Sequence, residues 1–194
     1  TDDFDVVGVD HSVKGSAYNT KSVSLKDVPR SWEDLLNPKW KGKIATENAM
    51  DLFICITQAW GKEKTLAYLK RLREQQPSSQ SGTTHMLTLL GAGEYLIGVG
   101  NNLNRVMDLQ SRQSPIAFAP ISPAVDKITP MVIIRDAPHP NAAKLYLRWL
   151  MSSEGQSLID KIRQKGNPLP GSGTEQSKTI EKLGIKLLVV RSWE

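Results

Sequence analysis

Trp32-Glu33-Asp34-Leu35-Leu36-Asn37-Pro38-Lys39-Trp40-Lys41-Gly42-Lys43-Ile44 is the stretch on which the reading of this chain turns. Ser31 can cap a short helix that carries Trp32, Leu35 and Leu36 on one face, with Glu33 and Asp34 at its positive end. Asn37-Pro38 stops that helix, since a residue before proline is driven out of the helical region. A turn with a buried Trp40 comes next. Lys39, Lys41 and Lys43 alternate with Trp40, Gly42 and Ile44, which predicts that the chain leaves the turn as a strand with its cations on one side. By composition alone this is a helix-turn-strand connector of an α/β domain.

Downstream, a polar loop over 45–51 leads to a helix with Leu52, Phe53, Ile56, Ala59 and Trp60 on one stripe, ended by Gly61. A second helix to about Gln75 is expected to bury Leu66, Leu69 and Leu72, and Pro77 closes it. After a loop over 78–82, a helix over 83–90 turns Met86, Leu89 and Leu90 inward, and Tyr95 to Gly100 reads as a buried strand. Val106 and Leu109 suit a short helix, and Ile116 to Ile121 another strand. This alternation predicts a mostly parallel, layered sheet. Pro130 to Ile134 reads as a further strand. Two helices then carry Ala142, Leu145, Tyr146, Trp149 and Leu150, and Leu158, Ile159 and Ile162. The turn-rich 168–173 precedes a short helix and a strand over 179–190. Upstream, 15–20 is extended.

The quoted stretch, together with Tyr18-Asn19-Thr20, Pro29-Arg30-Ser31, Gly91-Ala92-Gly93-Glu94, the 137–143 string A-P-H-P-N-A-A and the 152–156 string S-S-E-G-Q, resembles bacterial extracellular solute-binding proteins of ABC importers, the ferric-iron-type group in particular. The resemblance covers roughly 15–170 and implies an α/β periplasmic-binding-protein-like fold of type II. One lobe is expected nearly complete and the other in part, with truncation at the N-terminus and at the C-terminus. Residues 1–20 would then end lobe one and form the crossover strand, and 21–128 would be lobe two. The return crossing and lobe-one helices would occupy 129–170, and a C-terminal extension 171–194.

Composition excludes several classes. A chain of 194 residues with 39% hydrophobic content can bury a real core. No apolar run is long enough to span a bilayer as a helix. The net charge of +5 is spread along the chain, without the clustering and aromatic interleaving of a nucleic-acid binder. Cys55, the single cysteine, excludes an intrachain disulfide and is expected as an inert buried thiol.

In an open α/β layer ligands gather at the carboxyl ends of strands, where helix N-termini offer unpaired amides. Three loops end there. The first runs Thr46, Glu47, Asn48, Ala49, Met50, Asp51; the second Ser81, Gly82, Thr83, Thr84; the third Asn101, Asn102, Asn104, Arg105. The candidate ligand contacts are Asn48, Asp51, Ser81, Gly82, Thr83, Thr84, Asn101, Asn102, Asn104 and Arg105. Each has a plainer alternative. Ser81 or Thr83 can be an N-cap, Asn101 and Asn102 can hold turn geometry, Arg105 can sit in a surface ion pair, and Glu47 and Asp51 can be helix N-terminal acids. His11, His85 and His139 have no ligand spacing, and no nucleophile elbow, phosphate loop or cysteine cluster is present. No catalytic residue, metal ligand or cofactor is therefore assigned.

The resemblance implies a binding subunit that closes two lobes over a small solute and delivers it to membrane permease subunits, in the periplasm or outside the cell, lipid-anchored or soluble. A ligand-sensing effector domain of a transcription regulator is the alternative. Ferric-binding relatives place two tyrosines where this chain has Leu103 and Asn104, so an anionic organic solute or a metal complex is expected in place of bare iron. The 141–151 helix would lack part of its lobe-one partner, and self-association through that face is expected.

Overall fold

The structure, a computed structural model, describes residues 6–48 and 51–190. Ser31 does cap the opening stretch, its hydroxyl accepting from the Asp34 N–H at 3.2 Å, and the Asp34 carboxylate accepts in return from the N–H groups of Ser31 and Arg30. The winding beyond this cap is tighter than expected. Glu33–Leu36 and Pro38–Trp40 are single 3-10 turns, and the strand expected from Lys39 starts only at Ile44. Gly42, at φ +72, turns the chain there, leaving Lys39, Lys41 and Lys43 in solvent.

Trp32 is 1% exposed, and its indole meets the rings of Phe53, Trp60 and Tyr68 edge to face, with centroids 5.7 to 6.5 Å away. Both polar ends are satisfied: its N–H donates to the Pro123 carbonyl, and its own carbonyl accepts from the Tyr68 hydroxyl at 2.9 Å. This cluster sets the rotation of two helices, α1 (Asp51–Trp60) and α2 (Lys62–Glu74). In α2 the buried positions are Thr65, Tyr68 and Leu72, while Leu66 is exposed, a correction to the expected stripe. In α1 Ala59 also lies in solvent, and Cys55 is buried as expected.

Among the described residues, seven strands form one sheet: β1 (Val7–Asn19), β2 (Ile44–Glu47), β3 (Ser78–Gln80), β4 (Ile97–Asn102), β5 (Ile116–Phe118), β6 (Ala124–Met131) and β7 (Leu187–Val190). The order is β3-β2-β4-β1-β6-β7, with β5 beside the end of β1. The sheet is mixed, not mostly parallel, because β1 runs antiparallel to β4, β5 and β6 through its centre. Only β2 with β3, β2 with β4, and β6 with β7 pair parallel. The loop expected at 78–82 thus contains an edge strand. The strand expected at 130–134 is shifted upstream into β6, whose charged Asp126 and Lys127 hid it.

One core joins the Trp32 cluster, α1 and α2 to one face. A second lies under α3 (Thr83–Ala92), α4 (Leu103–Ser111) and α7 (Glu175–Leu183), where Leu87, Leu103 and Ile180 meet Val13 and Phe118. The segment expected as a C-terminal extension therefore contributes Ile180 and Ile185 to this core, and β7 to the sheet.

A small third core holds Val9 against Leu147, Leu150 and Ile159, from α5 (Pro140–Leu150) and the stretch after α6 (Ser153–Leu158). Most of the α5 stripe faces outward, with Leu145 70% and Tyr146 52% exposed. The α5–α6 corner depends on Gly155: a Cβ there would meet the carbonyl oxygens of Trp149 and Leu150, the latter at 2.6 Å. Backbone cannot step aside as a side-chain tip can. Gly155→Ala is expected to cost about 2 kcal/mol, within the range for overpacking. A chemical-denaturation midpoint equal to that of the parent would contradict this.

Candidate functional site

The carboxyl ends of β2 and β4 open beside the part of β1 that runs on past them, since Lys14 lies opposite both Asn102 on β4 and Val125 on β6. Lys14 Nζ donates to Glu47 Oε2 and to Asp51 Oδ1, each at 2.7 Å. Lys127 Nζ donates to Asp51 Oδ2 at 2.7 Å, and the Thr83 hydroxyl donates to Glu47 Oε1 at 3.0 Å. Four elements, β1, β2, β6 and α1, are tied together by this chain of charges, and α3 joins through its first residue. The group is mostly buried, with side-chain exposure of 9% for Lys14 and 13% for Glu47.

Burial pushes the Asp51 carboxyl up, but the hydrogen bonds and charges of Lys127 and Lys14 outweigh it and hold the group below its ordinary range. Burial likewise pulls the Lys14 ammonium down, and its bonds to Asp51 and Glu47 more than restore it, leaving it raised. A lowered carboxyl pKa contributes stability above its unfolded value, about 3.9, and loses it as pH falls through the folded one. A raised ammonium pKa contributes below its unfolded value, about 10.4, and loses it as pH rises through the folded one. The network is therefore intact at neutral pH. Asp51→Asn is expected to flatten the acid limb of the stability-pH curve below about pH 4, measured by urea melts at stepped pH. An unchanged acid limb would separate Asp51 from acid unfolding.

Of the expected contacts, Asp51 and Thr83 come together here. Asn48, Ser81, Gly82 and Thr84 are exposed around the same strand ends, and the Asn48 N–H donates to the Gln80 carbonyl. Ala49 and Met50 lie outside the described residues. Asn101 is fully buried and is not on the open face. Asn102 accepts from the Ser12 hydroxyl at 3.3 Å. With Asn104 and Arg105 it lines a different hollow, of about 370 Å³, between α4 and the 162–165 turn. Asn104 donates from its amide to the Arg163 carbonyl, and Arg105 is in solvent.

Lys14 and Lys127 were missed by sequence reasoning. A signal existed for Lys14, the only charge between Ser12 and Asn19 in a run that otherwise reads as buried strand. Lys127, beside Asp126, looks like any solvated pair. Asp126 itself is fully buried and accepts from His11 Nδ1 at 2.8 Å. The phenols are dispersed. Burial pushes those of Tyr18 and Tyr68 up, away from the phenolate form. Tyr95 is bonded to Ser78 and Gln80, and Tyr146 stands on the outer face of α5. Among the described residues no group of three or more histidine, cysteine, aspartate or glutamate side chains could hold a metal ion.

A model of the bacterial extracellular solute-binding proteins matches residues 2–182. The chain belongs to that family. The chain is 25% identical over 189 residues to a Salmonella typhi protein named "Putative 2-aminoethylphosphonate-binding periplasmic protein", covering 91% of this chain and 55% of that one. It is 25% identical over 160 residues to an Fe(3+)-binding periplasmic protein of Serratia marcescens, covering 73% and 45%. The fold is shared with the substrate-binding protein of an ABC transporter from Agrobacterium tumefaciens, at a TM-score of 0.77 and 17% identity over 95% of this chain and 59% of that one. The chain thus spans about half the length of the curated relatives it matches. No helix among the described residues is long and apolar enough to cross a membrane.

Proposed function

We propose that this chain forms most of one wall of the solute-binding subunit of an ABC importer. It receives a small oxyanionic solute at the strand ends of β2 and β4, and closure of a second wall then presents the loaded form to a membrane permease outside the cytoplasm. The observation that carries the anionic reading is the engagement of Glu47 and Asp51 by Lys14 and Lys127. Carboxylates already neutralised in this way offer little to a cation, while the exposed Ser81, Thr84 and Asn48 offer hydrogen-bond donors beside the start of α3. The name of the Salmonella relative supports a phosphonate or a similar group, and the relatives so named are binding proteins, which favours transport over the regulatory alternative.

The test is calorimetry of the 194-residue chain with 2-aminoethylphosphonate and with inorganic phosphate, alongside ferric citrate followed in the visible region. Saturable heat with a phosphorus oxyanion and no phenolate-to-iron band is the expected result. A strong band abolished by substituting any tyrosine would overturn the reading in favour of iron.

A further inference from the structure

An uncovered apolar surface lies where α5 meets the segment after α6. Ala142, Leu145, Tyr146 and Trp149 fall on one stripe of α5, and Lys144 and Arg148 fall outside it, so the stripe carries no charge. Leu145 is 70% and Tyr146 52% exposed, and the rings of Tyr146 and Trp149 lie 5.9 Å apart at 33°. Ile162, 73% exposed, and Leu158 continue the surface from the other side. Tyr146, Trp149, Leu158 and Ile162 surround a hollow of about 210 Å³, with Val9 and Met131 also in its lining. Among the described residues Arg163 is the one charged side chain that lines it, and Asp10 already holds that guanidinium at 2.9 Å.

Two magnitudes decide what covers this surface. The exposed parts of Leu145, Tyr146, Trp149, Leu158 and Ile162 amount to between two and three whole residues, on the order of 500 Å² at roughly 200 Å² each. That is near the upper end for the largest patch on a monomer, about 300–600 Å². A standard interface takes about 800 Å² from each partner, and between identical subunits about 65% of it is apolar, which again comes to about 500 Å². The hollow is smaller than the roughly 300–1,000 Å³ of a small-molecule site, and its size and lining suit an apolar side chain.

We propose that two copies of this chain pair about a two-fold axis through this surface, the α5 stripe of each lying across the α5–α6 hollow of the other. Leu145 stands one helical turn from Trp149, at the edge of the hollow, so a two-fold contact carries the Leu145 of each copy to the hollow of the other. The surface is thus its own complement. Because the stripe is uncharged while each copy carries a net charge of +5, the copies repel at long range and salt screens that repulsion. Pairing through an apolar contact therefore tightens as salt rises, the opposite of an ionic contact. The proposal does not rest on the solute reading, since Lys14 of the strand-end network lies five positions along β1 from Val9.

The test is sedimentation velocity of the 194-residue chain across the micromolar range at low and high salt. A concentration-dependent dimer, tighter at high salt, is the expected result. Leu145→Glu and Ile162→Glu should each weaken it at least tenfold, whereas Leu25→Glu, at a site 79% exposed elsewhere, should leave it unchanged. All three side chains stand mostly in solvent in the single chain, and thermal melts check that each variant is folded. A parent chain that stays monomeric, a dimer indifferent to both the Leu145 and Ile162 variants, a dimer loosened by salt, or assembly that grows past the pair overturns the proposal. A monomer that takes up anilinonaphthalene sulfonate, and loses it in Ile162→Glu, overturns it in favour of a different apolar occupant.

Discussion

Replacing Trp32 by alanine is expected to lower the unfolding free energy by about 4 kcal/mol, the usual cost of deleting a buried aromatic ring. Trp32 is 1% exposed and touches three other rings, so no neighbour can collapse into the space without abandoning its own packing. Truncation also strips the Pro123 carbonyl of its donor. Urea melts followed by circular dichroism measure the loss. Trp60→Ala supplies the internal comparison, because that ring is only half-buried and its removal should cost less. If both variants lose the same amount, Trp32 is not the centre of the cluster.

Lys14→Met should cost about 3 kcal/mol at neutral pH, because among the described residues it leaves Glu47 with the Thr83 hydroxyl and Asp51 with Lys127 as side-chain partners in a mostly buried place. The hydrophobic replacement keeps the stem of the side chain, so the loss reports the charge. A double variant with Glu47→Gln removes the stranded carboxylate and should recover part of the stability. Equal melting of the single and double variants would mean that Glu47 and Lys14 are not coupled.

The elements that the sequence made legible are those whose signals are local. Asn37-Pro38 and Gly42 mark their turns, and the spacing of apolar positions gave α1, α3 and α5 close to their bounds and placed a short helix where α4 lies. The 152–156 string, read as a family signature, has a physical basis in the approach of Gly155 to the α5 carbonyls. Failures came where a distant partner decides. The phase of α2 is set by Trp32, which lies thirty-six positions before Tyr68. Asp126 could not be recognised as a buried strand residue without its hydrogen-bond partner His11, 115 positions away. For the same reason the strand-end network was half legible: its acids stand in a loop that announces itself, and its lysines stand in strands that do not.

The central place of β1 in the sheet has a consequence for the order in which this chain can become native. Residues 7–19 are made before their antiparallel partners β4, β5 and β6, which end at Asn102, Phe118 and Met131. A strand waiting for mates roughly eighty to a hundred and twenty residues downstream closes large loops before it gains any contact, and such pairing is slow. The parallel unit of β2, α1, α2, β3 and β4 has nearer partners and can condense without it. Until β1 is in place, the seam between β4 and β6 has no strand in it, and the unpaired segment must stay in solution. Its lysine at position 14, polar Ser12 and Ser16, and Asp10 and His11 are residues that keep a lone strand in water before the sheet receives it.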